Sequence, residues 1–251
     1  SVRGRSLYLF EFGGDDASEQ VLVLGRQHPP ETTGSRALMG FVEALAADTD
    51  SARAYRRRYR TVVVALLNPD GVSEGNWRGN ANARDLNLDW GPFEQPETRA
   101  LRDALHVRTR DASRPIAFAI DFHSTWNDVL YTVAGDPALE PGGLLRGWID
   151  AMQRRFPNRI REEAYAATTS VFKNWIHCTY GAASVTYEVG DETPEPVLRT
   201  LSAYAAVRTS TPSCFTYGRS ARISPSVSAR STARSGGWNA WSARVQHWGL
   251  L

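Results

Sequence analysis

The apolar positions of this chain fall into short continuous runs separated by segments with a helical period. Val21–Leu24, Arg60–Leu67 (RTVVVALL), Ile116–Phe122, Val129–Val133 and Ala183–Val189 (ASVTYEV) read as strands. Ser6–Phe12 precedes them as a further strand, ended by the turn-like Gly13, Gly14, Asp15 and Asp16. Between the first runs, Ala37, Leu38, Phe41, Val42 and Leu45 recur at helical spacing and predict a helix over Thr33–Ala47. Further helices are expected over Pro96–Val107, with Glu97 in its first turn, and over 142–156, 169–179 and 195–207. Hydrophobic strands alternating with helices predict an α/β three-layer sandwich: a central mixed, mostly parallel twisted sheet, largely buried, with helices on both faces. Residues 72–95 lack periodicity and predict a long ordered loop, a kind of segment that is usually functional.

After Val207 the pattern stops. Residues 208–251 carry six arginines and no acid, while the remaining 23 basic and 27 acidic residues give 1–207 a net charge of −4. The expectation is one domain over 1–207 and a basic Ser/Arg-rich tail, 208–251, that is disordered or non-native. No nucleic-acid recognition motif accompanies the tail, so no nucleic-acid partner is expected. Lys173 is the only lysine among 29 basic residues, which lowers the meaning of any single arginine. Cys178 and Cys214 are too few for a disulfide framework, and no apolar run is long enough to span a membrane. No signal-peptide pattern is read at the start, where Ser1 stands in place of Met. The compartment stays open between cytoplasm and a secreted or periplasmic bacterial setting, and oligomeric state is not legible.

Candidate chemistry gathers at strand ends. His28 and Glu31 follow the run Val21–Leu24, and His123 follows Ile116–Phe122. Ligands of open α/β sheets collect outside the carboxyl ends of strands. Two histidines and a glutamate are also a donor set that a catalytic zinc uses while keeping one position open. Taken alone, His28 and Glu31 fit a surface histidine beside a helix start equally well, and His123 fits a buried structural histidine. No nucleophile elbow, phosphate-binding glycine loop or paired Cys-x-x-Cys site is present.

Three further motifs follow in order: NPDGV at 68–72, NWRGN at 76–80 and DLNLDW at 85–90, with TYE at 186–188 ending the last strand. With these, the chain over about residues 20–195 resembles the zinc metallocarboxypeptidases of the carboxypeptidase A type, especially their compact bacterial members. That resemblance implies one Zn2+ ion held by His28, Glu31 and His123. It implies Asp85 as the carboxylate orienting the first histidine, with a loop-capping aspartate as the alternative. Arg78 would polarise the scissile carbonyl, unless it is a surface arginine. Glu188 would take a proton from the attacking water and pass it to the leaving amine, unless it is merely a strand-end acid. Tyr165 would close over the substrate or simply pack.

The pattern breaks at one position. Asn87 matches an asparagine that helps hold the substrate's terminal carboxylate, but the arginine expected next is Leu88. A leucine cannot give the paired charge-assisted hydrogen bonds of a guanidinium. Arg84 and Lys173 are the candidate replacements; their plain alternatives are a surface charge and an exposed helix residue. The expected function is zinc-dependent hydrolysis of a peptide bond, most simply removal of C-terminal residues. The alternatives are an amidase or deacylase of N-acyl amino acids and an inactive zinc-binding pseudo-peptidase. The expected partner is accordingly a peptide or an N-acyl amino acid.

Overall fold

A computed structural model describes residues 1–110, 114–140, 143–165, 168–210 and 244–247, with side chains left undescribed at 165, 207–210 and 244–247. The strands are β1 (Tyr8–Phe12), β2 (Glu19–Gly25), β3 (Tyr59–Val64), β4 (Ile116–Thr125), β5 (Val129–Val133), β6 (Arg161–Tyr165), β7 (Ala183–Gly190) and β8 (Arg244–His247). They form one mixed sheet in the order β6-β5-β7-β4-β2-β3-β1-β8. The central neighbours β3, β2, β4 and β7 run parallel, as do β5 and β6. The pairs β5–β7, β1–β3 and β1–β8 are antiparallel.

The period-2 alternation of β2 sorts the core. Val21 and Val23 face one side with α1 (Thr32–Ala46), α2 (Asp50–Arg58), α5 (Leu144–Arg155) and α7 (Glu195–Ser210). Leu22 and Leu24 face the other side with α4 (Pro96–Thr109), α6 (Phe172–Tyr180) and the buried Leu86 and Trp90 of the long loop. Both faces of the sheet are covered, which is the expected three-layer sandwich. No helix among the described residues is long and apolar enough to cross a membrane.

Several elements differ from expectation. The helix α2 carries few apolar residues, so its period was hidden; Thr49 caps it by accepting from Ala52 N at 3.2 Å. Its Arg56 is buried and donates to Leu45 O at 2.5 Å and Ala47 O at 2.9 Å, satisfying carbonyls at the end of α1. The NPDGV turn opens a short helix, α3 (Pro69–Glu74), capped by Asn68 and ended by Gly75 at φ +70°. Strand β6 is polar and lies at the sheet edge, where the apolar signal fades. Strand β3 stops at Val64, and β4 runs on through His123 to Thr125. Of the tail, 211–243 and 248–251, with Cys214, lie outside the described residues; 208–210 close α7 and 244–247 form β8.

Candidate metal centre

The site lies at the carboxyl ends of β2, β4 and β7, on the face covered by α6 and the long loop. His28 follows β2, and Glu31 stands at the N-cap of α1, where the helix dipole favours a negative charge. The Glu31 carboxylate makes no cap hydrogen bond and turns to the histidines instead. Its Oε1 lies 2.7 Å from His28 Nδ1, and its Oε2 lies 2.8 Å from His123 Nδ1. The second contact is close but unaligned, so the buried Oε2 has no hydrogen-bond partner. His123 Nδ1 and His28 Nδ1 face each other at 3.2 Å. One donor atom from each of the three residues lies within 4.8 Å of the others.

The close approach of α1 to β4 needs a glycine. A Cβ on Gly34 would stand 2.4 Å from His123 O and 2.7 Å from its carbonyl carbon. Gly34 N also donates to Ser124 Oγ at 2.7 Å, pinning the first turn of α1 beside the strand that carries His123.

Each histidine is backed by an acid on its outer nitrogen. His28 Nε2 lies 2.9 Å from Asp85 Oδ1, and His123 Nε2 lies 2.8 Å from Asp121 Oδ2. A carboxylate there holds a proton on Nε2, so on each ring Nδ1 is the atom that would donate its electron pair to a metal. Burial works against charge on both histidines, but the carboxylates outweigh it and raise both pKa values, that of His123 strongly. Burial likewise raises Glu31, yet the adjoining His123 and His28 rings hold it down to about 2. Two inward Nδ1 atoms, an orphaned carboxylate oxygen and a surplus of buried acid suit a divalent cation. His28, Glu31 and His123 therefore fit the zinc that the donor set implies.

The remaining predicted residues divide. Glu188 stands opposite His123 in the β4–β7 register. Its pKa is raised, first by burial, with His123 and His28 opposing and Glu31 and Asp121 adding to the rise; its Oε2 is buried without a partner. Arg78 donates from Nε to Asp85 Oδ2 at 2.7 Å, and its side chain is half exposed. Asp85 also accepts from Asn87 N at 2.9 Å, so it caps the 3₁₀ turn Leu86–Leu88 while it holds His28. Asn87 Oδ1 accepts from Gln27 Nε2 and Phe172 N, each at 3.2 Å. Leu88 is 55% exposed. Arg84 makes a surface pair with Glu94 at 3.6 Å. Lys173 is buried rather than an exposed helix residue; it donates to Asn174 Oδ1 at 2.9 Å, and burial lowers its pKa to about 8. Tyr165 ends β6, and its side chain lies outside the described part of the structure.

Three residues of this neighbourhood were not anticipated: Gln27, Asp121 and Trp90. Asp121 was legible, because two residues before His123 on a strand is the same face. Gln27 and Trp90 offered no such signal.

Comparison with known proteins finds similar sequences and similar folds. A family model described as zinc carboxypeptidase matches residues 1–91, which hold His28, Glu31, Arg78 and Asp85 but neither His123 nor Glu188. The chain is 42% identical over 138 residues to cytosolic carboxypeptidase 2 of Danio rerio, covering 49% of this chain and 18% of that protein. It is 30% identical over 133 residues to human cytosolic carboxypeptidase 6, covering 49% of this chain and 26% of that protein. The crystal structure of a metallo-carboxypeptidase from Burkholderia cenocepacia superposes with a TM-score of 0.68 at 24% identity, covering 83% of this chain and 60% of that one. The fold is the metallo-carboxypeptidase fold. The chain thus spans less than two thirds of the length of each of these proteins.

Proposed function

We propose that the protein is a zinc-dependent peptide hydrolase of the metallocarboxypeptidase kind. The observation that carries this reading is the convergence of His28, Glu31 and His123, with Glu188 directly across the strand pair. A pure metal-binding module has no use for Glu188, a buried acid with an open oxygen. Zinc held there would supply Lewis acidity, polarising a carbonyl and acidifying water.

The chain's own residues supply the rest. Glu188, its proton affinity raised by burial, accepts a proton from the attacking water and delivers it to the leaving amine. Arg78, at the end of a flexible side chain, can exchange its Asp85 contact for the developing oxyanion. With Asn87 Oδ1 taken by two donors, the Asn87 amide N–H groups are the part left to meet substrate.

Leu88 bears on the substrate. It is half exposed on the turn beside Asn87 and offers no charge to a terminal carboxylate. This favours, as a second reading, an amidase or deacylase acting where no free carboxylate adjoins the bond. Zinc content and hydrolysis of matched peptides with free and amidated C-termini decide between them, in wild type and Leu88→Arg. The carboxypeptidase reading expects turnover of free ends only, rising by about 30-fold or more in the variant. Equal turnover of both peptides by wild type would favour the amidase. Stoichiometric zinc with no turnover of either peptide by either protein would leave only a binding module.

A further inference from the structure

Gln27 is fully buried between the metal centre and the long loop, and its side-chain amide is spoken for on every side. Its Nε2 lies 2.8 Å from Asp121 Oδ2 and 3.2 Å from Asn87 Oδ1, both acceptors. Its Oε1 accepts from Trp90 Nε1 at 2.8 Å. The amide orientation is therefore unambiguous. Flipped, Oε1 would face two acceptor oxygens and Nε2 would face a donor that cannot accept, which breaks all three bonds. The backbone is held as well, since Asn68 Nδ2 donates to Gln27 O at 3.0 Å.

The two acceptors belong to different functions. Asp121 orients His123 through Nε2, while Asn87 belongs to the turn that carries Leu88. Trp90 anchors the end of the same turn, stacked on Trp175 at 5.1 Å between ring centres and edge-on to Phe172 at 4.8 Å. We propose that Gln27 is a positioning residue that couples the His123 arm of the metal centre to the substrate turn 85–90. Through it, one rigid amide sets both the direction of His123 and the presentation of Asn87. Of the three ligands, His28 is steadied from the turn side by Asp85, so Gln27 completes a second bridge between metal and turn.

This inference rests on the zinc-hydrolase reading, but its test does not need turnover. Zinc affinity is measured by chelator competition on the whole chain for wild type, Gln27→Met, Asp121→Asn and the double variant. Losing an outer partner of a metal-bound histidine costs on the order of 10- to 100-fold in affinity. Gln27→Met is expected to weaken zinc about tenfold, and the double variant to fall clearly short of the product of the singles. In parallel, KM for a peptide substrate rises in Gln27→Met more than kcat falls. A role confined to packing would lower the melting temperature and move neither quantity in the folded protein.

Gln27→Leu, which removes the amide without adding charge, gives the same readout should the methionine variant not fold. A zinc affinity within about threefold of wild type in the folded variant would overturn the coupling. So would full additivity with Asp121→Asn. A wild type that binds zinc but cleaves no peptide would defeat the hydrolase reading while leaving the affinity test of Gln27 intact.

Discussion

Two clusters of buried acid lie on this fold, and they are built in opposite ways. One holds the long loop. Asp89 accepts from Glu94 N and Gln95 N, each at 2.9 Å, and from Thr98 Oγ1. Glu97 accepts from Val2 N and Asn80 Nδ2, each at 3.1 Å, and Asp70 accepts from Arg3 N and Arg5 Nη1, each at 2.7 Å. The other cluster is the candidate metal centre, where Glu31 Oε2, Asp121 Oδ1 and Glu188 Oε2 are buried with no hydrogen-bond partner. Leaving a buried acceptor unmet costs about 1–3 kcal/mol, more for charged groups. The acids of the loop cluster are saturated with donors; those of the candidate metal centre keep an oxygen open. The difference separates scaffold from chemistry more sharply than residue type does, since both clusters are rich in Asp and Glu.

The largest expected effect falls on the open cluster. Glu188→Gln keeps the volume and removes the base, so turnover should fall by about 10²- to 10⁴-fold while bound zinc and melting temperature stay near wild type. Retained turnover in that variant would end the assignment of Glu188 as the proton carrier.

Next is the geometry that keeps the cluster open. Gly34→Ala places a methyl group against the His123 carbonyl, with backbone atoms on the receiving side. Helix α1 must shift, carrying Glu31 away from His123. Stability should drop by about 1–3 kcal/mol, and zinc affinity by about tenfold or more. Unchanged zinc binding in a folded Gly34→Ala protein would mean that the close approach is not what sets the donor spacing.

The saturated cluster should answer in the opposite way. Glu97→Ala removes the acceptor of Asn80 Nδ2 and Val2 N in a buried setting, for a loss of about 1–3 kcal/mol in denaturant titration. Zinc affinity should stay within about threefold, because Glu97 makes none of the contacts that hold the histidines. A loss of zinc equal to that of Gly34→Ala would dissolve the distinction between the clusters.

How much of this was legible from the residues depends on the same distinction. The parallel core was readable because β2, β4 and β7 are hydrophobic runs, buried along almost their whole length. The gathering of His28, Glu31 and His123 was readable because its members end or adjoin those strands. Strand β6 and helix α2 were not, since an edge strand reading REEAY and a helix with Arg56 turned inward both mask their period. Asp121 could have been found from its two-residue offset to His123. Gln27 could not, because its neighbours Asp121, Asn87 and Trp90 come from remote parts of the chain and only the fold brings them together. Lys173 departs from its plain alternative, an exposed helix residue, for a related reason: a lone lysine in a helix gives no sign of being buried beside Asn174.

The smallest effect concerns an acid outside both clusters, on a strand far in sequence from the loop acids. Burial alone would raise the pKa of Glu11, but Arg108 and Arg60 outweigh it and the group titrates below its ordinary range. Arg60 donates to Glu11 Oε2 from Nε at 3.1 Å and from Nη2 at 3.0 Å, and Arg108 takes Oε1. A carboxyl whose folded pKa is depressed adds stability that is fully present above its unfolded pKa, about 4.3. That stability is lost as pH falls through the lower folded value. Urea midpoints measured between about pH 3 and pH 7 should therefore fall less steeply on the acid side in Glu11→Gln than in wild type. The pair is partly exposed, so the difference should also shrink in about 0.5 M salt. Parallel acid limbs in the two proteins would show that Arg60 and Arg108 do not hold Glu11 ionised, and that donor saturation protects an acid only where water is kept out.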